Sequence, residues 1–350
     1  MIVIGADPHK TNHCFAATDA ATGELRSSES VQASAAGLEH ALAWGRGLDV
    51  ERVWAIEDCR HVSGALERFL VARGERVVRV PPKLMAAARQ SIRQRGKSDP
   101  IDATAVARAA LREGVETLPA AFLDEDAMEI KLLLDHRDDL VCTRTADQSR
   151  LRWHLHDLQC PITVPTGGLD RDVWIQRIGR WLARQPQTAR VRVARRVLAR
   201  IRAQTREARQ LERELAELVI AYRPALLEIP GCGPLTAAKL IAESAGAQRF
   251  ATDAKFARAA GVAPIPASSG RNHRFRLDRG GNRQLNLALH RLAVNQGIRH
   301  PPARAYLTRK QAEGKSRVEA LRCLKRHLAR TVYKTMTHNA NPPAHTLALT

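Results

Sequence analysis

The sequence predicts an α/β domain followed by a mostly helical remainder. Three observations predict this division. Up to residue 123, short apolar runs alternate with amphipathic stretches, as strands alternate with helices. From Asp124 onward, stretches such as Met128–Leu158 carry few Gly or Pro. A heptad-like apolar series then runs from Ala194 to Tyr222.

In the first part, Ile2–Asp7 is a short apolar run ending in an acid. His13–Asp19 and Glu24–Val31 read as two further strands, joined by the turn-like Ala20-Ala21-Thr22-Gly23. Ala35–Trp44 reads as a helix, and Val53-Trp54-Ala55-Ile56 as an apolar strand followed by Glu57. Val62–Ala72 is amphipathic, and Val77–Val80 is a strand closed by Pro81-Pro82. Three strands, a helix, then strand, helix, strand is the order expected of a ribonuclease-H-like sheet. Pro100 lacks an N–H and has a fixed φ, which suits the first turn of a helix, with Asp99 beside it at the cap. Ile101–Leu111, rich in Ala, continues as a helix facing a core.

The remainder reads as helix over Met128–Leu158, a break at Pro161–Gly168, and one long polar helix pattern over Val173–Tyr222. In it, Ala194, Val197, Ile201, Gln204, Ala208, Leu211, Leu215, Leu218 and Tyr222 fall at a/d spacing and predict a coiled-coil seam. A third domain starts near Pro224, with a helix ending at Ser244, a Gly- and Pro-marked loop, and helices at Asn286–Gln296 and Arg317–Met336. The expected division is 1–123 α/β, 124–223 helical and coiled-coil, 224–338 mostly helical, and 339–350 a disordered tail.

Lys and Arg total 56 against 36 Asp and Glu, a net charge of +20, so a polyanionic partner is expected. No long apolar span is present and Met1-Ile2-Val3-Ile4-Gly5 reads as a strand, so nucleic acid is favoured over membrane and the expected location is the cytoplasm. The cysteines Cys14, Cys59, Cys142, Cys160, Cys232 and Cys323 are scattered without a C-x-x-C pair, which argues for reduced thiols and against a zinc site or disulfide framework. Aromatic residues are only 4%, so phosphate neutralisation is expected to outweigh base stacking. Arg190, Arg192, Arg195, Arg196, Arg200, Arg202, Arg206, Arg209 and Arg213 lie on the long helix with few acids before Glu207. They form either a solvated face or a strip that meets phosphates.

Four acids carry the chemistry. Asp7 and Glu57 each end an apolar strand, and Asp99 and Asp102 project from one side of a first helical turn. The plain reading of the last two is a helix cap and a charge complementing the helix dipole. Read together, clustered carboxylates are costly unless a cation joins them, and hard oxygen ligands suit Mg²⁺ or Mn²⁺. Asp58 rivals Glu57, since one step along a strand reverses side-chain direction. Glu57 is preferred because it directly follows the apolar run.

Two further stretches point to phosphates. Pro230-Gly231-Cys232-Gly233-Pro234 reads as a helix-hairpin-helix turn, in which backbone N–H groups at Gly231 and Gly233 reach a phosphate, or else as a tight interhelix turn. The loop with Ser268 and Ser269 is ringed by Arg271, Arg274, Arg276, Arg279 and Arg283. Guanidinium groups there could hold a phosphate while a hydroxyl attacks it, or simply grip DNA. Ser269, next to Gly270, has the freer backbone and is preferred over Ser268 as nucleophile.

Gly5-Ala6-Asp7-Pro8-His9-Lys10, Ile56-Glu57, Lys97-Ser98-Asp99-Pro100-Ile101-Asp102-Ala103, Ile229-Pro230-Gly231-Cys232-Gly233, and Ser269-Gly270 with Gly281-Asn282 together resemble the insertion-sequence transposases that join a RuvC-like acidic domain to a serine domain. This family is also called bridge-RNA-guided recombinases. The resemblance implies Mg²⁺ held by Asp7, Glu57, Asp99 and Asp102, with Ser269 as catalytic serine. Lys97 joins the residues expected to contact nucleic acid. The family implies DNA cleavage and rejoining through a 5′-phosphoserine link, in a homodimer or homotetramer, guided by a structured RNA. The competing readings are a metal-dependent nuclease or Holliday-junction resolvase with an inert serine, and a non-catalytic nucleic-acid-binding protein.

Overall fold

The computed structural model describes residues 1–57, 60–81, 84–85, 99–118, 120–121, 124–244, 247–266, 275–276 and 280–338. Two compact units, Met1–Leu123 and Asp124–Thr350, make up the chain. The first is mixed α/β and the second mostly helical, as the sequence predicts.

In the first unit, β1 (Ile2–Pro8), β2 (Asn12–Asp19) and β3 (Leu25–Gln32) form an antiparallel meander. Helix α1 (Ala35–Leu48) then crosses to β4 (Arg52–Glu57), and α2 (Arg60–Ala72) to β5 (Val77–Val80). Both strands run parallel to β1, giving the order β3-β2-β1-β4-β5. Alternation along the strands builds two cores. Ile2, Ile4, Ala6, Phe15, Trp54 and Ile56 pack with buried residues of α1 and α2 on one face. Val3, Val53, Ala55, Val78 and Val80 pack on the other with α3 (Asp99–Glu113), through Ala105, Val106 and Ala109. The Ser34 hydroxyl starts α1 by accepting from the Gly37 N–H at 3.2 Å.

Glu75 closes one end of this sheet. Its carboxylate accepts from Arg52 at 2.6 and 2.7 Å, from the Trp54 indole N–H at 3.0 Å and from Arg46 at 3.1 Å. Burial pushes the Glu75 carboxyl up, but those hydrogen bonds outweigh it and hold the group below the usual glutamate range.

The second unit is built on two long antiparallel helices, α4 (Glu125–Asp157) and α6 (Ala189–Tyr222), each about 50 Å long at 1.5 Å per residue. At one end Leu151 and Leu155 pack with Val191, Ala194, Val197 and Ile201, and α5 (Asp172–Ala183) adds Ile175, Ile178 and Leu182. The continuous helix expected over Val173–Tyr222 is in fact two. Between them lies Arg184–Thr188, where Pro186 offers no N–H and the Thr188 hydroxyl caps α6.

The predicted seam of α6 is buried inside the chain, against α4 and α5, with local shifts in register. Thr205 and Val219 take the most buried positions expected of Gln204 and Leu218. Ala208, Leu211 and Leu215 keep the expected register, so the shifts are local: Gln204 turns its amide to Asp147 at 3.4 Å while Thr205 is buried in its place. Midway along, the apolar packing gives way to a polar waist. Asp147, with a side chain 2% exposed, accepts from Arg200 at 2.8 and 3.1 Å and from Arg150 at 2.9 Å. Those hydrogen bonds, from Arg200 first, hold its carboxyl below the usual range against burial.

At the other end, Ala127, Ile130, Leu134, Leu215 and Val219 share one core with α7 (Pro234–Ser244), α8 (Asp253–Ala259), α9 (Arg283–Arg299), α10 (Pro301–Ala312) and α11 (Arg317–His338). Helix α8 falls in the stretch expected to be a loop, and α10 in one for which the sequence predicts no element. Thr252 caps the first, and Pro301 and Pro302 occupy the first turn of the second, where missing N–H groups cost nothing. Residues 339–350, expected to be a disordered tail, lie outside the described residues.

Candidate active site

The acid-bearing end of the sheet follows from strand parity. On β1, Ile2, Ile4 and Ala6 face α1 and α2, so Val3, Gly5 and Asp7 face the side covered by α3. On β4, Trp54 and Ile56 face α1 and α2, so Val53, Ala55 and Glu57 share the α3 side. β1 and β4 are parallel with Ala6 opposite Ile56. The next step of that register sets Asp7 alongside Glu57, at the ends of neighbouring strands. Asp58, the rival of Glu57, lies outside the described residues.

Gly5 seats the helix that carries the third acid. A Cβ at position 5 would stand 2.0 Å from the Ala103 carbonyl oxygen and 2.6 Å from the Ala107 nitrogen, so α3 rests directly on the β1 backbone. Ala103 packs with Cys14 and Ala16 on the same face, and its neighbour Asp102 is 8% exposed. Asp99 opens the helix, but its side chain lies outside the described residues, as does Lys97. Among the described residues, no three His, Cys, Asp or Glu side chains stand close enough to hold one ion. Sequence reasoning gave His9 no role, yet its Nε2 lies 3.2 Å from the buried Asp7 carboxylate. The signal was its position two residues after a strand-ending acid.

The serine loop springs from a short hairpin. β6 (Ile265–Pro266) pairs antiparallel with β7 (Phe275–Arg276), with Pro266 opposite Phe275. Ser268, Ser269, Arg271, Arg274 and Arg279 lie outside the described residues. Downstream the chain is fixed by backbone contact and a cap. A Cβ on Gly281 would meet the Gly261 nitrogen at 2.2 Å. Asn282 caps α9, accepting from the N–H groups of Gln284 and Leu285, and donates to Glu243 at 2.7 Å. Arg276 is exposed on β7, and Arg283 is exposed at the start of α9.

The Gly231–Gly233 turn precedes α7, and Gly231 takes a left-handed φ of 81°. Before it stands a 3₁₀ turn, Pro224–Leu226, in place of the first of the two expected apolar helices. Gly233 has open space where a Cβ would be, whereas Cys232 is buried, which pushes its thiol up to about 12.

The arginine strip of α6 divides in two. Arg200 and Arg209 are tied to Asp147 and Asp172, and Arg192 and Arg195 bond to Gln187. Arg190, Arg196, Arg202, Arg206 and Arg213 show no ion pair among the described residues, so their charge faces outward.

Residues 4–159 match the DEDD model of IS110, described as a transposase, and residues 223–308 match the model described as "Transposase IS116/IS110/IS902 family". The chain belongs to this transposase family. Similar proteins include the IS116 44.8 kDa protein of Streptomyces clavuligerus, 26% identical over 93% of this chain and 92% of its own length. The IS900 42 kDa protein of Mycobacterium paratuberculosis is 27% identical over 98% of each chain. The IS110 43.6 kDa protein of Streptomyces coelicolor is 38% identical over 32% of this chain and 29% of its own. Among solved structures, T. thermophilus RuvC in complex with a Holliday junction substrate matches 35% of this chain and 99% of its own, at 16% identity and a TM-score of 0.28. In the transposase, no helix among the described residues is long and apolar enough to cross a membrane.

Proposed function

We propose that this transposase cuts and rejoins DNA with two sites, a carboxylate site on a ribonuclease-H-like sheet and a serine in the β6–β7 loop. The observation that carries the first is the shared face of Asp7 and Glu57, on which α3 rests through Gly5 with Asp102 buried beside the contact. All the donors are carboxylate oxygens, which fit a hard divalent cation. Asp7, Glu57, Asp99 and Asp102 would hold Mg²⁺ or Mn²⁺, which supplies positive charge to the phosphodiester oxygens.

Ser269 supplies the nucleophile. Its Oγ loses a proton and bonds to phosphorus, the P–O3′ bond breaks, and the departing 3′ oxygen gains a proton. Rejoining runs the same exchange backwards: a 3′-hydroxyl attacks the phosphoserine and releases the serine. Arg276 and Arg283, exposed on the elements that flank the loop, support this reading by offering guanidinium groups to a phosphate, with Arg271, Arg274 and Arg279 named from the sequence. The Gly231–Gly233 turn offers backbone N–H groups before α7 to a DNA phosphate, and the outward arginines of α6 form a second phosphate strip. A structured guide RNA, a homodimer or homotetramer, and a cytoplasmic location complete the reading.

The test is covalent trapping. Wild-type protein incubated with its DNA should yield a protein–DNA adduct on a serine peptide by mass spectrometry. Ser269→Ala should lose it, and Asp102→Asn should lose divalent-ion-dependent strand cleavage. An undiminished adduct with Ser269→Ala removes the nucleophile, and metal-dependent cutting without any adduct returns the chain to a water-using nuclease.

A further inference from the structure

Beside the β6–β7 stem, α10 and α11 enclose a cleft of about 580 Å³. Among the described residues its charged lining is Arg276, Lys310, Lys315, Arg322, Lys325 and Arg326, against one acid, Glu319. Glu319 is already committed. Its carboxylate accepts from the Ser316 N–H at 2.9 Å and the Ser316 hydroxyl at 2.8 Å, a capping box that starts α11. Lys310 is paired with Glu313, and Arg326 with Asp253. Among the described residues, Arg276, Lys315, Arg322 and Lys325 make no ion pair at contact distance, although Lys315 and Arg322 lie near enough to Glu319 to favour its charged form.

Lys325 is the residue that needs explaining. It is 6% exposed, and its ammonium donates to the Asn286 side-chain oxygen at 2.6 Å. Asn286 is itself fixed, donating to the Ala260 and Gly261 carbonyls at 2.9 and 3.0 Å. A buried ammonium carries three donors and costs free energy unless an anion meets it. Burial and the nearby Arg322 charge push this group down from its ordinary value, the expected state of a cation short of a counterion. A second group points the same way: the Nη1 of Arg326 is buried with no hydrogen-bond partner. An anion with several acceptor oxygens, such as a phosphate, suits donors arranged around one concave site.

We propose that this cleft binds a backbone phosphate of the DNA strand, with Lys325 as its buried contact and Arg322 at its rim. The choice of DNA rests on the function proposed above, because the β6–β7 stem that walls the cleft carries the serine loop. Lys325 and Arg322 of α11 then hold the strand independently of the chemistry at the serine.

Binding of the full-length protein to a fluorescein-labelled DNA duplex of arbitrary sequence, titrated across salt, tests this. Lys325→Met keeps the side-chain volume and should weaken binding roughly tenfold, with the slope of log K against log salt falling by about one. Arg322→Ala, at an exposed position that does not bear on folding, should weaken it about threefold with the same direction of slope change. Affinity and slope unchanged in Arg322→Ala overturn the proposal even where Lys325→Met fails to fold. So does a loss confined to RNA of the same sequence, with duplex DNA binding intact. Neither measurement uses adduct formation, so failure here leaves the Ser269 assignment standing, and failure of that assignment leaves this binding difference intact.

Discussion

The waist of the α4–α6 hairpin and the cleft between α10 and α11 both gather arginines, yet they treat charge in opposite ways. At the waist, a buried carboxylate meets its cations inside the chain: Asp147 is held by Arg200 and Arg150. In the cleft, cations outnumber acids among the described residues, and the lining acid Glu319 is used to start a helix. Charge matched internally holds the chain together, whereas charge left over is presented to something else. Glu75 extends the first case to the α/β unit, with Arg52, Arg46 and the Trp54 indole around one carboxylate.

If this distinction holds, the largest loss falls on Glu75. Glu75→Ala strands a buried indole N–H and two guanidinium groups, and should cost about 3 kcal/mol in denaturant unfolding. The folded value of Glu75 lies below its ordinary 4.5, so its contribution is full above that pH and fades as pH falls through the folded value. The gap between wild type and variant should therefore narrow as the pH is taken down below 4.5, and a gap that widens instead breaks the matched-charge account. Asp147→Ala should cost less, about 2 kcal/mol, because Arg200 and Arg150 are more than half exposed and can turn to water. Its measure is the urea midpoint of the full chain, with the salt slope of DNA binding unmoved. Smallest of all, Arg322→Ala should shift thermal stability by less than about 0.5 kcal/mol while still weakening DNA binding. A cleft arginine whose removal destabilises the fold would belong with the waist.

Much of this was legible in the sequence where the signal is local. Apolar runs ending in acids located β1 and β4, and Asp99-Pro100 marked the start of α3. Parity along β4 also favours Glu57 as the residue on the α3 side. Features that depend on three-dimensional accounting were not legible. Pro186 broke a pattern whose arginine-rich periodicity read as continuous, and a heptad template placed Gln204 where a straight helix buries Thr205. The cleft escaped notice because its cations come from β7, α10 and α11, and because Glu319 looks like a neutralising acid until its hydrogen bonds to Ser316 are counted.

The bare contact between Gly5 and Ala103 carries a consequence for how this protein tolerates change. Main chain touches main chain there, with only the methyl of Ala107 beside the contact, so little side-chain bulk could drift over generations. Remodelling the oily layers around Val53 or Val106 would alter their fit while the spacing between strand and helix stayed pinned. The scaffold can thus accept extensive replacement of its interior, but position 5 itself admits no alternative residue.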